Sequence, residues 1–517
     1  MRQNYLLPDI ERWKPEEGPV VRLEHITQRF GDKVVLDDLS LDIPVGKTTV
    51  IIGVSGSGKS VLLKTMNGLN LPTEGKCMLF GEDTNACSVQ KLNDLRKRTG
   101  MILQDYALID SISVCDNIAF PIVENTKMKY AEVRKLVEDA LKPLGLSEAI
   151  DKFPYELSGG MKKRVSFARA TIHQPELVFF DEPTTGLDPL MIVFVDNMIR
   201  ELRQRYDMTS VIISHDIQSI YRLADHVAFL HEGKIIFQGT VEDVKTTQIP
   251  EIRQFFDSSN KAVKTENETQ PRPYVQVRDL HKSFAGKPVL KGVNLDVPER
   301  KITVIIGGSG SGKSVLLKHI LGLFVPDSGT VNVNGLELTQ CSESEREDMR
   351  TRIGMLFQGA ALFDSMTVAE NIAFPLAERR HALHRTEIKT RVDEMLERLK
   401  ITDIAHAFPS AISAGQRKRV GLARAIITRP ELMIYDEPTT GQDPIMIRYV
   451  DDMILEAHDA FQLTTIVISH DMVSTFRIAD QIAMVYDGVI AACGTPDELM
   501  VSQHPEVQRM IRAQIHV

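Results

Sequence analysis

The feature that most constrains the fold of this 517-residue chain is an internal duplication. The segment GVSGSGKSVLLK at 53–64 returns as GGSGSGKSVLLK at 307–318. The segment FFDEPTTGLDP at 179–189 returns as IYDEPTTGQDP at 434–444. Matches that keep their order at a nearly constant spacing indicate a duplicated domain, and two copies of this length are too few for a solenoid.

We therefore predict two domains, residues 1–257 and 274–517, joined by a flexible linker at 258–273. The linker sequence, SSNKAVKTENETQPRP, is polar, contains two prolines and has no apolar periodicity. A linker of this length extends to roughly 50 Å, which is enough for the two domains to pair with each other.

Each domain is predicted to have an α/β core. Short β-branched runs, such as TTVIIG at 48–53 and SVIISHD at 210–216, are typical of buried parallel strands. Amphipathic helical segments such as 131–145 lie between these runs. Strands that alternate with helices indicate an α/β fold.

The composition is that of an ordinary globular protein, with 43% hydrophobic residues, 25% charged residues and a net charge of −9. This charge argues against a general nucleic-acid binder, and we expect no nucleic-acid partner. No apolar run approaches the roughly 20 residues that cross a bilayer. The N-terminus has no apolar core followed by a cleavage site, so we expect a cytoplasmic protein whose membrane role requires partners.

Two copies of G-x-x-x-x-G-K-S each follow an apolar strand and lead into a helix, which is the context of a phosphate-binding P-loop. Small residues let successive backbone N–H groups surround a phosphate at the helix N-terminus, where the helix dipole also favours anions. The lysine would neutralise the β- and γ-phosphates of ATP, and the final serine would ligate Mg²⁺. The predicted ATP-binding residues are Gly53, Ser55, Gly56, Ser57, Gly58, Lys59 and Ser60 in the first repeat, and Gly307, Ser309, Gly310, Ser311, Gly312, Lys313 and Ser314 in the second.

An Asp-Glu pair ends a second apolar strand in each repeat, at Asp181–Glu182 and Asp436–Glu437. An aspartate at the end of a buried strand can hold Mg²⁺ indirectly. The glutamate that follows is placed to polarise an attacking water, so we predict that Glu182 and Glu437 are catalytic.

Together these motifs resemble the ABC ATPase family, and the resemblance covers nearly the whole chain. LSGGMKKRVSFARA at 157–170 and ISAGQRKRVGLARA at 412–425 are similar to the signature segment of the family. The resemblance implies a β subdomain and a helical signature subdomain beside each α/β core. It also implies further site residues: signature residues Ser158, Gly159, Gly160, Ser413, Ala414 and Gly415; Q-loop glutamines Gln104 and Gln358, which sense Mg²⁺, water and the membrane partner; D-loop aspartates Asp188 and Asp443; switch histidines His215 and His470; and adenine-stacking aromatics Phe30 and Phe284.

In this family a nucleotide is held between the P-loop of one domain and the signature segment of the other, which implies intrachain pairing of the two domains. The site containing Glu182 would use residues 413–415, and the site containing Glu437 would use residues 158–160. Ala414 departs from the family pattern, because a methyl group stands where the backbone must approach a phosphate closely. Our hypothesis is two hydrolytic sites, of which the first is slower.

The signature segments contain the basic triplets 162–164 and 417–419. Such triplets can contact RNA, but a solvated helix face is the more common reason for them. We predict a solvated face in both repeats.

The substrate class is suggested by finer resemblance. The blocks at 309–331 and 353–376, the segment GQDPIMI and the tails PEIRQFF and PEVQRMI look like the ATPases of Mce/Mla-type lipid-trafficking transporters. This implies movement of phospholipid or another hydrophobic lipid between membranes, with integral-membrane permease subunits and an Mce-domain lipid-binding protein. The chain would then lie at the cytoplasmic face of the bacterial inner membrane. Typical members of that group have one domain and act as homodimers, from which this fused chain departs.

Other ABC systems remain as alternatives. Tandem ATPases of sugar importers often have one degenerate P-loop, whereas both are intact here, and tandem peptide-importer ATPases, which keep two good sites, are the closest transport alternative. A different class, the ABC-F-type translation factors, also carries two cassettes and binds ribosomes without a permease. Those factors usually have a longer, charged helical linker, which this chain lacks.

Overall fold

The computed structural model describes residues 5–7, 9–104, 106–257, 272–378 and 383–514. The chain forms two compact units, Met1–Thr185 with Met191–Phe256, and Gly186–Leu190 with Asp257–Val517. The predicted linker at 258–273 lies outside the described residues except for its last two, and Pro273 is already the first residue of a strand.

The described part of the first unit contains ten strands and nine α-helices. The strands are β1 (Val21–Phe30), β2 (Lys33–Ile43), β3 (Thr48–Ile52), β4 (Glu74–Leu79), β5 (Glu82–Asp83), β6 (Thr99–Ile102), β7 (Leu177–Asp181), β8 (Thr209–Ile213), β9 (His226–His231) and β10 (Lys234–Gly239). The helices are α1 (Lys59–Met66), α2 (Val89–Lys97), α3 (Val114–Val123), α4 (Tyr130–Leu141), α5 (Gly159–Thr171), α6 (Pro189–Tyr206), α7 (Ile217–Leu223), α8 (Val241–Thr246) and α9 (Pro250–Asp257).

Two sheets organise this unit. One is an antiparallel sheet of four strands in the order β2-β1-β4-β5, and the other has six strands in the order β10-β9-β3-β8-β7-β6. In the larger sheet all neighbours are parallel except β9 and β10. Strands β3 and β8 are buried at every position, which explains their continuous β-branched sequences. The carboxyl ends of β3, β7 and β8 therefore meet at one edge, where ligands of open α/β sheets bind.

The described part of the second unit repeats this set of elements. Its strands are β11 (Pro273–Phe284), β12 (Lys287–Pro298), β13 (Ile302–Ile306), β14 (Ser328–Val333), β15 (Leu336–Glu337), β16 (Ile353–Leu356), β17 (Leu432–Asp436), β18 (Thr464–Ile468), β19 (Gln481–Tyr486) and β20 (Val489–Gly494). Its helices are α10 (Lys313–Ile320), α11 (Glu343–Arg350), α12 (Val368–Ala377), α13 (Arg385–Arg398), α14 (Ala414–Ile426), α15 (Pro444–Phe461), α16 (Met472–Ile478), α17 (Pro496–Met500) and α18 (Pro505–Gln514).

The topology of the second unit is the same, with a sheet of order β12-β11-β14-β15 and a larger sheet of order β16-β17-β18-β13-β19-β20. Its apolar side chains form two cores. One joins the four-stranded sheet to one face of the large sheet, and the other joins the opposite face to helices α12, α13 and α14 through residues such as Ile372, Val392 and Val420. The predicted α/β core with a β subdomain and a helical subdomain is therefore confirmed. Among the described residues, none of the helices is both long and apolar enough to cross a membrane.

Candidate functional site

Each P-loop connects the central strand of a large sheet to the helix that follows it. Gly53 and Gly307 have φ values of 152° and 153°, and a Cβ on either would lie 2.1 or 2.3 Å from a carbonyl oxygen of the adjacent strand. Gly58 and Gly312 begin the helices in the left-handed conformation, with φ values of 105° and 109°. Glycine is required at these positions because a side chain would collide or be strained there.

The P-loop lysines are buried and bond to their own loops. Lys59 Nζ donates to the carbonyl oxygens of Gly53 and Val54, both at 2.9 Å. Lys313 makes the equivalent bonds at 2.7 and 3.0 Å. Burial lowers the pKa of Lys313, whereas the nearby carboxylates of Glu437, Asp188 and Asp436 raise it in part. Each ammonium group is therefore held at the inner wall of its loop.

One serine in each P-loop has an unsatisfied hydroxyl. Ser57 Oγ and Ser311 Oγ are buried and have no hydrogen-bond partner within the described residues. Buried polar atoms without partners are rare in folded proteins. A phosphate oxygen would satisfy both hydroxyls, so this feature fits an ATP-binding loop.

The carboxylate at the end of β7 faces the serine that begins helix α1. Ser60 Oγ donates to Asp181 Oδ1 at 3.4 Å. Burial, and then the charge of Glu182, raise the pKa of Asp181. The same two causes, with the charge of Glu437, raise the pKa of Asp436 at the end of β17. Mg²⁺ prefers oxygen ligands, and the serine hydroxyl and the aspartate carboxylate together offer such ligands at this position.

Glu182 is brought against His215, the predicted switch histidine, by the parallel pairing of β7 and β8. His215 Nδ1 lies 3.6 Å from Glu182 Oε1, and Thr185 Oγ1 donates to Glu182 Oε2 at 2.9 Å. Burial raises the pKa of Glu182, but His215 and Thr185 outweigh it, so the net pKa lies below the ordinary value. The glutamate is therefore kept ionised, which is the state that can accept a proton from water.

The second repeat builds the same cluster. His470 Nδ1 lies 3.7 Å from Glu437 Oε1, and Thr440 Oγ1 donates to Glu437 Oε2 at 3.2 Å. The neighbouring His470 is the main cause that lowers the pKa of Glu437, and burial opposes it. Both glutamates have a left-handed backbone with φ of 49°, which is strained for a residue with a side chain.

The Q-loop glutamines are exposed. Gln104 follows β6 and Gln358 follows β16, so each stands at the edge of the sheet where the P-loop also ends. The aspartates predicted for the D-loop lie at the start of the helix that follows Glu182 or Glu437. Asp188 immediately precedes α6, and Asp443 caps α15 by accepting the N–H of Met446 at 3.0 Å.

The signature segments are helix N-termini. Ser158 caps α5 and Ser413 caps α14, and each accepts a backbone N–H three residues on, at 3.4 and 3.3 Å. Gly159 and Gly160 are the first residues of α5, as Ala414 and Gly415 are of α14. A Cβ at Gly159 would lie 3.7 Å from its nearest neighbour, the hydroxyl of Tyr106. The first unit therefore has room for a methyl group at this position.

Two aromatic side chains at strand ends are exposed. Phe30 at the end of β1 is 51% exposed, and Phe284 at the end of β11 is 42% exposed. Phe284 also packs against Phe324, with ring centroids 5.6 Å apart. An exposed ring is available for stacking on a base.

The prediction that the basic triplets form solvated helix faces is wrong for their middle lysines. Lys163 and Lys418 are buried, because the helices α5 and α14 pack into the unit on that side. The flanking arginines are half-buried and bond to the backbone: Arg164 donates to Leu144 O at 2.7 Å and Arg419 to Leu399 O at 3.3 Å. These two arginines therefore bond each helix to a neighbouring backbone segment.

Two buried asparagines, Asn117 and Asn371, organise the segment after the Q-loop. The sequence analysis did not identify them. The buried Asn371 accepts the N–H of Phe363 at 2.8 Å and donates to the carbonyls of Phe363, Met366 and Thr367 at 3.0 to 3.1 Å. Asn117 makes the corresponding bonds in the first unit. The sequence NIAFP, which occurs in both repeats, could have identified these asparagines.

The duplicated P-loops, the ionised glutamate beside a histidine and the helical signature subdomain define a tandem P-loop ATPase. The sequence profile described as ABC transporter matches residues 36–185 and 290–440, together more than half of the chain. The chain belongs to the ABC transporter family. It is an ATP-hydrolysing, ATP-binding subunit of an ABC transporter, and such subunits work with membrane permease subunits.

Individual relatives extend this result over both repeats. An uncharacterized ABC transporter ATP-binding protein of Methanocaldococcus jannaschii is 28% identical, with 94% of this chain and 97% of the relative covered. The nucleoside import ATP-binding protein NupA of Lactococcus lactis is 27% identical, with 92% of this chain and 96% of the relative covered. Among solved structures, cbiO1 of Clostridium perfringens, part of the ABC transporter complex cbiONQ, is 28% identical with a TM-score of 0.42; the match covers 47% of this chain and 96% of cbiO1.

Proposed function

We propose that this subunit energises a transporter that moves phospholipid or another hydrophobic lipid between membranes, with Mla- or Mce-type permease subunits and an Mce-domain lipid-binding protein. The observation that carries the proposal is the block at 353–376, which is similar to the ATPases of that group. In the second unit this block runs from β16 through Gln358 to helix α12. It presents the exposed aromatic side chains Phe357 and Phe363.

The first unit supports a docking role for the equivalent block. An open groove of about 930 Å³ lies beside α2, α3 and α5, and its lining combines apolar residues such as Met101, Ile109 and Phe120 with polar ones such as Asn93 and Asp94. A groove of this kind fits an amphipathic helix of a permease. The chain would then be a peripheral protein of the cytoplasmic face of the bacterial inner membrane.

In the proposed reaction each P-loop holds the phosphates of ATP through its backbone N–H groups, its lysine and its serines. Mg²⁺ supplies charge neutralisation at the β- and γ-phosphates when it is bound. Ser60 with Asp181 and Gln104, and Ser314 with Asp436 and Gln358, form the proposed oxygen sets for the cation.

Glu182 and Glu437 each accept a proton from the attacking water. His215 and His470 keep those glutamates ionised and face the γ-phosphate.

The remaining predicted residues complete the nucleotide sites. Phe30 and Phe284 stack on adenine, and Asp188 and Asp443 fix the loops that follow the catalytic glutamates. We propose that each P-loop is completed by the signature segment of the other repeat. Ala414 would then face the nucleotide of the first site, where its methyl group slows turnover.

The test begins with partner identification. The tagged full chain is isolated from gently solubilised membranes, and its partners and lipids are identified by mass spectrometry. A polytopic permease with an Mce-domain protein and phospholipid is the expected result. A permease with a solute-binding protein for nucleosides, peptides or sugars would overturn the lipid assignment, and ribosomal proteins without a permease would overturn the transport assignment.

A photo-crosslinking amino acid then locates the contact. It replaces Phe363, which is 41% exposed, and in a matched control it replaces Tyr486, which is 43% exposed on strand β19. We expect cross-links to the permease from position 363 only. Equal cross-linking from both positions would contradict docking through the block at 353–376.

A nucleoside importer is the second candidate function. The observation that favours it is the tandem relative of Lactococcus lactis, which is named a nucleoside import protein and matches both repeats. The partner analysis above separates the two candidates.

A further inference from the structure

The signature helix of the second unit carries an arginine that bonds to the segment after the Q-loop. Arg424, near the end of α14, donates to the carbonyl oxygens of Ala360 and Ala361, both at 2.8 Å. Both bonds come from one planar guanidinium group, so the group fixes two consecutive peptide units at once. The bonded residues begin two positions after Gln358.

The bonded segment has an unfavourable backbone conformation. Ala360 has φ of 61° and Ala361 has φ of 48°, and both values lie in the left-handed region. A residue with a side chain costs about 1–3 kcal/mol there, and such residues persist only where the surrounding structure holds them. Two in succession therefore need an external restraint, and the Arg424 bonds supply one.

The first unit has the same construction with a different sequence. Arg169 on α5 donates to the carbonyl oxygens of Tyr106 and Ala107 at 2.9 and 2.7 Å. The φ values of these residues are 62° and 47°. Tyrosine in one repeat and alanine in the other adopt the same backbone, so the geometry does not depend on the side chain at this position. Besides the alanine at the second position, the two repeats share the arginine and its two carbonyl partners.

A second cation of the same helix reaches the glutamine itself. Lys418 Nζ lies 3.5 Å from the carbonyl oxygen of Gln358 and also donates to the carbonyl of Pro438, the residue after the catalytic Glu437. In the second unit, side chains of helix α14 therefore bond to three backbone carbonyls of the segment 358–361. One of them also bonds to the carbonyl of Pro438, next to Glu437.

We propose that Arg424 and Arg169 are positioning residues for ATP hydrolysis. Each holds the strained turn after the Q-loop glutamine, and so fixes where Gln358 or Gln104 stands relative to the Mg²⁺ ligands and the catalytic glutamate. The inference rests on the proposed role of these glutamines. It ties the Q-loop to the helix that begins with the signature segment, so that movement of this helix also moves the glutamine.

The test uses the purified full chain in a Glu182→Gln background, so that turnover reports the site of Glu437. Arg424→Ala is expected to lower kcat about 10- to 100-fold with little change in the KM for ATP, because displacement of a catalytic group acts on the reacting geometry. Arg424→Lys should keep part of the activity, since an ammonium group can bond to one of the two carbonyls.

A rescue experiment separates positioning from simple structural support. Glycine adopts the left-handed conformation at no steric cost, so Ala360→Gly and Ala361→Gly remove the need for the restraint. Added to Arg424→Ala, they are expected to restore kcat to within about threefold of the parent. Arg419→Ala is the matched control, because Arg419 lies on the same helix and donates to Leu399 O instead. Its loss should not be rescued by the two glycines.

Three results would overturn the proposal: an unchanged kcat in Arg424→Ala, a loss that the glycines do not restore, or equal rescue of Arg419→Ala. If Arg424→Ala does not fold, Arg424→Lys decides, because its ammonium group keeps one of the two bonds. A lowered kcat with little change in the KM for ATP in the folded Arg424→Lys variant is expected, and an unchanged kcat there overturns the proposal. Gln358→Ala separates this inference from the function on which it rests. An unchanged kcat in Gln358→Ala contradicts the role of the glutamine, whereas a lowered kcat there with an unchanged kcat in Arg424→Ala contradicts the positioning role alone.

Discussion

Replacing the buried Lys163 by methionine should stabilise the first unit. Lys163 Nζ is buried and has no hydrogen-bond partner within the described residues. Burial lowers its pKa from the ordinary 10.5 to about 8, a difference equivalent to about 3 kcal/mol at pH 7. Methionine has a similar length and helix propensity, so it fills the space without that penalty. We expect the free energy of unfolding to rise by about 1–3 kcal/mol.

Trp13 makes this measurement specific to the first unit. It is the single tryptophan of the chain and packs edge-on against Phe80, with centroids 6.3 Å apart. Because a protein with two units need not unfold in one step, urea unfolding is followed by Trp13 fluorescence and by circular dichroism in parallel. The fluorescence transition of Lys163→Met is expected at a higher urea concentration than that of the parent.

The pH dependence gives an independent check. A lysine whose pKa is lowered in the folded state binds fewer protons there than in the unfolded chain at any pH between about 8 and 10.5. The stability of the parent should therefore rise with pH across this window, and the advantage of Lys163→Met should shrink. Below pH 8 the difference should be constant.

Lys418→Met is the matched control in the second unit. Burial lowers the pKa of Lys418 to about 8 as well, so its removal relieves a similar penalty. Lys418 also donates to the carbonyls of Pro438 and Gln358, and its removal leaves these two acceptors without a donor. This loss offsets the relief by about 1–3 kcal/mol, so Lys418→Met should stabilise the second unit less than Lys163→Met stabilises the first. The Trp13 transition should not move. Destabilisation of the first unit by Lys163→Met, or a stability difference that does not change between pH 8 and 10.5, would refute the reasoning.

Three further predictions concern the nucleotide sites and their support. Glu182→Gln and Glu437→Gln should each lower steady-state ATPase turnover, and Glu437→Gln should remove more than half if the site facing Ala414 is the slower one; equal losses would contradict the asymmetry. Gly307→Ala should abolish high-affinity binding of a fluorescent ATP analogue, because the added Cβ would lie 2.3 Å from the carbonyl oxygen of Val485 on β19. Unchanged affinity would contradict this steric argument. Asn371→Leu should lower the stability of the second unit by about 2–4 kcal/mol in a circular-dichroism melt, because it leaves several buried backbone groups unpaired; a shift within error would contradict the bonding described.

The sequence was informative wherever chemistry is encoded by neighbouring residues. A phosphate loop needs glycines, a lysine and a serine at fixed spacing, and the structure places Gly58 and Lys59 at the start of a helix after a buried strand. The strand ending in Asp181–Glu182 was predictable because a buried parallel strand is continuously apolar.

Contacts between distant parts of the chain were not predictable from local pattern. The basic triplets show why, because their sequence does not indicate which side of the helix packs inward. The burial of Lys163 depends on the elements that pack against α5. The bonds of Arg424 to Ala360 and Ala361 cross more than sixty residues of sequence. A left-handed turn formed by alanines also lacks the glycine that would usually predict it.

The sequence by itself determined that this chain is two α/β ATPase domains in tandem, with their P-loops and Asp-Glu pairs, because those features depend on residues that are close in sequence. Only the tertiary structure decided which groups surround Glu182 and Glu437, that Lys163 and Lys418 are buried, and that Arg424 bonds to the carbonyls of Ala360 and Ala361. The physical reason is that pKa, burial and backbone strain are set by the groups that packing brings into contact, and most of those groups lie far apart along the chain.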